Sequence, residues 1–253
     1  MTIVITRPLE YLNETKSLLE AKGLDYFNLP CLEFTEPSDD YHSLDKVIRA
    51  NHEYDWLIFL SKRAAQVFFD RLLELGGHLF NLSPRLKIAC VGEQVASFVR
   101  DELGFPVDFV PSKFNSKQFL QEFEPDPMSR VILVRNELVR DDFEEQLSPR
   151  VLSLELAKAY STKIPELDLT EFDKLLASGE ELILSFASSD TVKNFSILLG
   201  AERITKLNAQ ALSIGPRTSE TIRELLPSIK VIEAEYASLE SMLDAIMAVD
   251  GKT

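Results

Sequence analysis

The chain has 253 residues, 45% of them apolar and 27% charged, a composition that belongs to folded globular proteins and excludes a disordered or fibrous chain. At about 100–200 residues per domain the length fits one large domain or two modest ones. Acidic residues outnumber basic ones by 41 to 27, a net charge of −14. That field repels nucleic acids and anionic membrane surfaces, so no nucleic-acid partner is expected.

In chain order, the first aliphatic run covers residues 3–5 and is followed by helical spacing through Leu12, Leu18 and Leu19 up to Gly23. Residues 29–36 form a longer segment, alternating apolar at Leu32 and Phe34. Strand-like runs return at 55–61 and 86–92, the second leading into Val95, Phe98, Val99 and Leu103 before Gly104. Gly23 and Gly104 stand where helix C-terminal caps belong. Residues 131–136 form the next run, and 151–160 alternate at Leu152, Leu154 and Leu156. Runs at 182–188 and 210–215 close the series. The start, Met1-Thr2-Ile3-Val4-Ile5-Thr6-Arg7-Pro8, lacks the basic, apolar and cleavage regions of a secretion signal and predicts a cytoplasmic protein. Apolar runs reach about five residues against the roughly 20 that span a bilayer, so no membrane span is expected.

Three of these runs recur at about half the chain length. Residues 3–8 resemble 131–136 at an offset of 128, 55–61 resemble 182–188 at 127, and 86–92 resemble 210–215 at 123, which predicts a duplicated unit. Short runs without alternation fit strands buried on both faces of a parallel sheet, each followed by a crossover helix. The expected fold class is therefore α/β, with two similar doubly wound parallel-sheet domains of flavodoxin-like type. The alternating segments occupy matching places and are expected to pair as a two-stranded connector, with a simple tandem arrangement as the alternative.

Functional candidates are few. Cys31 and Cys90 read as reduced core thiols. His42, His52 and His78 share no ligand spacing and read as solvated loop residues, so neither a metal nor a histidine base is expected. Glycines number nine, and no GxGxxG, GxxxxGK, GxSxG or HExxH is present, so the usual nucleotide cradles are absent. Instead, Arg7-Pro8, Ser61-Lys62-Arg63, Gly92-Glu93, Arg135-Asn136, Ser188-Ser189-Asp190 and Gly215-Pro216-Arg217-Thr218 fall at strand-to-helix junctions, where helix amides and cations suit a ligand with several carboxylates or phosphates. Singly, most of these residues are also ordinary helix caps. Arg7 and Arg135 differ, because an arginine at the end of an apolar strand needs an anionic partner. Asp141-Asp142 and Glu144-Glu145 read as a solvated helix face.

Taken together, Ile5-Thr6-Arg7-Pro8, residues 55–61, Val91-Gly92 with Ala96, residues 107–111, Ala159-Tyr160-Ser161-Thr162, Phe186-Ala187-Ser188-Ser189 and residues 214–218 resemble the uroporphyrinogen-III synthase family over nearly the whole chain. The resemblance implies a discontinuous first domain of residues 1–34 and 165–253, a second domain of 40–150, and connectors at 35–39 and 151–164. It implies cyclisation of hydroxymethylbilane, a linear tetrapyrrole with eight carboxylates, by loss of water and inversion of ring D, without cofactor or metal, in a cytoplasmic monomer. It implies Tyr160 as the catalytic residue and Arg7, Ser61, Lys62, Gly92, Arg135, Ser188, Ser189, Gly215 and Thr218 as substrate-binding residues. Val95, Leu60, Ala187 and Asn136 depart from the family pattern. Two other readings stay open at this point, a noncatalytic two-domain binder of a polyanionic small molecule and a phosphosugar or nucleotide enzyme.

Overall fold

A computed structural model of the chain describes residues 2–76, 82–139, 142–236 and 238–249. In chain order the strands are β1 (Thr2–Ile5), β2 (Tyr26–Asn28), β3 (Glu33–Thr35), β4 (Trp56–Phe59), β5 (Lys87–Cys90), β6 (Arg130–Asn136), β7 (Ser153–Lys163), β8 (Leu182–Phe186), β9 (Ala209–Ser213) and β10 (Lys230–Glu233). The helices are α1 (Leu12–Ala21), α2 (His42–Arg49), α3 (Lys62–Glu74), α4 (Glu93–Ser97), α5 (Ser116–Glu122), α6 (Phe143–Leu147), α7 (Thr170–Ala177), α8 (Ser189–Ile204), α9 (Pro216–Leu225) and α10 (Leu239–Val249).

The chain divides into two compact units, one of Met1–Phe34 with Lys163–Thr253 and one of Thr35–Thr162. The first contains a five-stranded sheet in the order β10-β9-β8-β1-β2, and the second is built on a five-stranded sheet in the order β3-β7-β6-β4-β5. The neighbours β1/β2, β1/β8, β8/β9, β9/β10, β4/β5, β4/β6 and β6/β7 are all parallel. In each sheet the chain runs from a central strand to one side, β1 to β2 or β4 to β5, and later resumes on the other side at β8 or β6. Each sheet is thus doubly wound and has a switch point, β1/β8 or β4/β6, beyond whose carboxyl ends such folds place their ligands.

Alternate residues of each strand face opposite sides and are buried on both. In the second unit Leu57, Phe59, Ile132 and Val134 enter one core with α3, while Ile58, Val131 and Leu133 enter another with Phe119, Phe123 and Phe143. In the first unit Val4, Leu184 and Phe186 pack with Phe172 and Phe195, while Ile3, Ile5 and Ile183 pack with Leu19, Met242 and Leu243. Gly23 and Gly104 do cap their helices, at φ of 64° and 77°. Cys31 and Cys90 are free and buried, and burial pushes both thiols up to about 12.

The structure corrects several sequence readings. The offsets pair β1 with β6 and β4 with β8, whereas matching places in the two sheets pair β1 with β4 and β8 with β6. The recurring runs therefore reflect a shared strand chemistry, not equivalent positions. Strands β2 and β10 carry no signal in the sequence because they are short edge strands with no fully buried residue. Residues 151–164, read as a connector, are mostly β7, which pairs with β6 from Ser153 to Tyr160 and so belongs to the second sheet. β3 is hydrogen-bonded to its other side, so the two alternating segments do pair with each other as expected. His42 begins α2, and His52 lies in a short 3-10 turn, so neither is simply a loop residue. His78 and Asp141 lie outside the described residues, and Glu144 and Glu145 sit in the first turn of α6.

Phe59 is fully buried, with ring centroids 5.6 Å from Phe68 and 5.9 Å from Phe69. Phe59→Ala is expected to destabilise the second unit by about 3–5 kcal/mol. Urea unfolding followed by circular dichroism checks this, and a loss below about 1 kcal/mol would contradict the packing argument.

Candidate functional site

In the second unit the switch point is occupied by Ser61 and Tyr160. Ser61 follows β4 and caps α3, its hydroxyl oxygen accepting the Ala64 amide at 3.1 Å. Tyr160 sits on β7 opposite Asn136, where the β6/β7 register shifts between Arg135 and Asn136. Its phenolic oxygen lies 3.3 Å from the Ser61 hydroxyl, so the two side chains meet across the end of β6. Beside β4, Gly92 follows β5 and begins α4. A methyl group there would come within 2.7 Å of Phe114 Cβ and 3.3 Å of Phe114 Cα, so this glycine is required by the close approach of the loop carrying Phe114.

In the first unit the switch point is laced by hydroxyls. Thr6 donates to the Ser185 carbonyl at 2.5 Å, and Ser185 donates to the Val4 carbonyl at 2.9 Å, tying the ends of β1 and β8 together. Next to them, Ser188 caps α8 by accepting the Thr191 amide at 3.2 Å. Gly215 and Pro216 open α9. The Ser189 hydroxyl donates to the Arg217 carbonyl at 3.2 Å, joining the starts of α8 and α9. Two helix N-termini thus stand side by side, an arrangement suited to carboxylate groups.

The family model for uroporphyrinogen-III synthase HemD matches residues 13–244. The chain belongs to the uroporphyrinogen-III synthase family. It is 29% identical over 253 residues to the uroporphyrinogen-III synthase of Synechococcus elongatus, covering 97% of this chain and 94% of that one. It is 25% identical over 254 residues to a porphyrin biosynthesis protein HemD of Ruminiclostridium josui, where the match covers 98% of this chain but only 48% of the relative. A crystal structure of a mutant uroporphyrinogen III synthase from the extreme thermophile Thermus thermophilus shares the fold, with a TM-score of 0.69, 18% identity and full coverage of both chains. The enzyme from Helicobacter pylori gives a TM-score of 0.58 at 22% identity over 88% of this chain and 93% of that one.

Within this family frame the remaining candidates divide sharply. Arg7 turns back onto its own helix, donating to Thr15 Oγ1 at 3.2 Å, lying 3.6 Å from Glu14 and covering the Tyr11 ring at 4.9 Å. Lys62 pairs with Glu102 at 3.1 Å and covers the Phe98 ring at 4.6 Å. Thr218 is buried, whereas nothing stands within 4 Å of a methyl group built at Gly215. Arg135 is not at a helix start, as its place after an apolar run suggests, but inside β6, and it is 7% exposed. It lines a cavity of about 290 Å³ with Ser38, Glu137 and Lys158. Among the described residues no group of three or more His, Cys, Asp or Glu side chains could hold a metal ion, and no helix is long and apolar enough to cross a membrane.

Glu137 is the residue that sequence reasoning misses. Its carboxylate accepts the Ser38 amide at 3.1 Å and the Ser38 hydroxyl at 2.6 Å, and Lys158 Nζ lies 3.7 Å away. Burial acts to raise its pKa, but these groups and the Ser161 hydroxyl outweigh it and hold the carboxyl below the usual range. Nothing in its surroundings distinguishes it in sequence from neighbouring surface acids, because the partners come from residues 38, 158 and 161.

Because the folded-state pKa of Glu137 is depressed, its contribution to stability is present above the unfolded value and disappears as pH falls through the folded one. Glu137→Gln is expected to cost about 1.5–3 kcal/mol at pH 7, with the gap to the parent closing in acid. Denaturant titrations from pH 7 down to about pH 3 check this, and a gap independent of pH would refute it. Gly92→Ala is expected to destabilise by about 1–3 kcal/mol through overpacking, while Gly215→Ala leaves stability unchanged. Thermal melts of both variants test the contrast.

Proposed function

We propose that the chain converts linear hydroxymethylbilane into uroporphyrinogen III, expelling water and closing the macrocycle with ring D inverted, as a step of heme biosynthesis. The observation that carries this reading is the family match over residues 13–244. The pairing of Ser61 with Tyr160 at a switch point supports it.

The substrate carries eight carboxylates and one reactive hydroxymethyl group. First-turn amides at α8 and α9 are suited to take carboxylates by short charge-assisted hydrogen bonds, and the hydroxyls of Ser188 and Ser189 join them by giving up their present bonds to Thr191 and the Arg217 carbonyl. Arg7, Lys62, Arg135, Gly92, Gly215 and Thr218 complete the proposed binding set. Arg7 and Lys62 already hold protein partners, so they serve by releasing or sharing them, and buried Thr218 acts by shaping the start of α9. The same reading makes the protein a cytoplasmic monomer acting on a small molecule without cofactor or metal.

Tyr160 acts as proton donor. The carbon–oxygen bond of the hydroxymethyl group breaks, and the oxygen leaves with the electron pair and the Tyr160 proton as water. The positive charge left on the methylene is shared with the ring A nitrogen. A substituted carbon of ring D, which already carries the methylene leading to ring C, supplies the electron pair for the new bond to the ring A methylene. Its older bond to the ring C methylene then breaks, with the pair restoring ring D and the positive charge passing to that methylene and the ring C nitrogen. The unsubstituted carbon of ring D attacks the methylene and sheds the proton that balances the one Tyr160 gave. The free tetrapyrrole closes by itself without inversion, so the protein's main contribution is to hold the reacting carbons in the less accessible geometry.

Incubation with freshly prepared hydroxymethylbilane and separation of the type I and type III isomers tests the reading. Type III product is expected, and type I alone refutes it. Tyr160→Phe keeps the ring and removes the proton, so kcat is expected to fall about 100-fold, the low end for general acid catalysis, with KM nearly unchanged.

A further inference from the structure

The family resemblance casts Ser61 as a substrate-binding residue, yet its surroundings fit another task. A serine hydroxyl has one proton to donate and two lone pairs. One lone pair is committed, since the Ala64 amide donates to Ser61 Oγ at 3.1 Å as the cap of the 13-residue helix α3. Its other near neighbour is the Tyr160 oxygen at 3.3 Å. An oxygen that already accepts an amide at the positive end of a helix is a weaker acceptor and a stronger donor, because hydrogen bonds in a chain polarise one another.

We propose that Ser61 is a positioning residue for Tyr160, donating its hydroxyl proton to the phenolic oxygen instead of binding a substrate carboxylate. The inference rests on Tyr160 being the proton donor. In the resting state this bond directs the phenolic proton away from Ser61, towards the leaving hydroxyl. When that proton departs with the oxygen, negative charge appears on the Tyr160 oxygen, and the Ser61 O–H already faces it. The donor chain Ala64 amide, Ser61 hydroxyl, Tyr160 oxygen then stabilises the charge until the proton shed by ring D restores the phenol. No bond to Ser61 forms or breaks.

The test is a double-mutant cycle on the full chain, read as kcat, KM and isomer ratio with hydroxymethylbilane. Ser61→Ala is expected to lower kcat about tenfold, the effect of one charge-assisted hydrogen bond, with KM within about twofold of the parent and type III still the main product. Ser61→Gly, which keeps the helix start almost as stable as serine does, is expected to lose the same kcat and so separates the missing donor from a frayed cap. Ser61→Thr, which retains both cap and donor, restores kcat. In the Tyr160→Phe background, Ser61→Gly is expected to cause no further loss. Losses that multiply in the double variant, or a KM that rises while kcat holds, would overturn the inference and return Ser61 to substrate binding. Parent protein yielding only the type I isomer would instead defeat the underlying reading, whatever the variants do.

Discussion

The parallel pairing of strands on either side of each switch point is the constraint from which the rest of the molecule follows. β1 and β8 run in register from Thr2↔Leu182 to Ile5↔Ser185, and β4 and β6 from Trp56↔Val131 to Phe59↔Val134. Because these strands point the same way, their carboxyl ends finish level, and the segments leaving them must diverge to opposite faces of the sheet. The divergence opens a gap at that edge and directs helix starts towards it. Ser61 and Ser188 stand where α3 and α8 begin, and each spends its oxygen on a first-turn amide. The burial of both sheet faces by aliphatic and phenylalanine side chains serves this arrangement by making any other strand register costly.

Charge raises an apparent conflict. A chain of net charge −14 repels a substrate with eight carboxylates at long range, but exposed charges beyond about 8 Å are largely screened at physiological ionic strength. What decides binding is the field in contact with the ligand. At the strand ends that field comes from helix amides, which carry no formal charge and leave the pI untouched. Acidic side chains are in part engaged elsewhere: Asp45 is gripped by two nitrogens of Arg71, and Asp173 by two of Arg203. An acidic protein can therefore hold a polyanion.

Much of this is legible in the sequence, for a physical reason. Strands buried on both faces must be continuous apolar runs, so β1, β4, β5, β6, β8 and β9 announce themselves through composition alone. Edge strands β2 and β10 bury little and leave no such trace. Junction residues Ser61, Gly92, Ser188 and Gly215 are visible because a helix start after a buried strand demands a cap. The Ser61–Tyr160 contact is not visible, since it joins positions 99 residues apart and depends on β7 lying one strand beyond β6. The same holds for Glu137, whose partners are assembled by strand order. Arg135 illustrates the opposite error: its place after an apolar run suggests a junction, but β6 continues through Asn136 and carries it inside the sheet.

The register shift between Arg135 and Asn136 explains why Tyr160 reaches the switch point at all. Up to Arg135↔Lys158 the two strands advance together, and then Asn136 pairs with Tyr160, so β7 gains one residue on β6. Side chains alternate between faces along a strand, and an inserted residue reverses which face the following side chains take. Beyond the irregularity Ala159 is buried while Tyr160 is only partly so, its ring packed against the core that holds Phe59 and its hydroxyl turned to Ser61. The Tyr160 carbonyl meanwhile accepts the Glu137 amide at 3.0 Å, which fixes the backbone on which the phenol is mounted. Glu137 in turn is fixed by Ser38 and Ser161 through its carboxylate. A largely buried carboxylate and a one-residue bulge therefore act on the same short segment, and together they set where the phenolic oxygen lies.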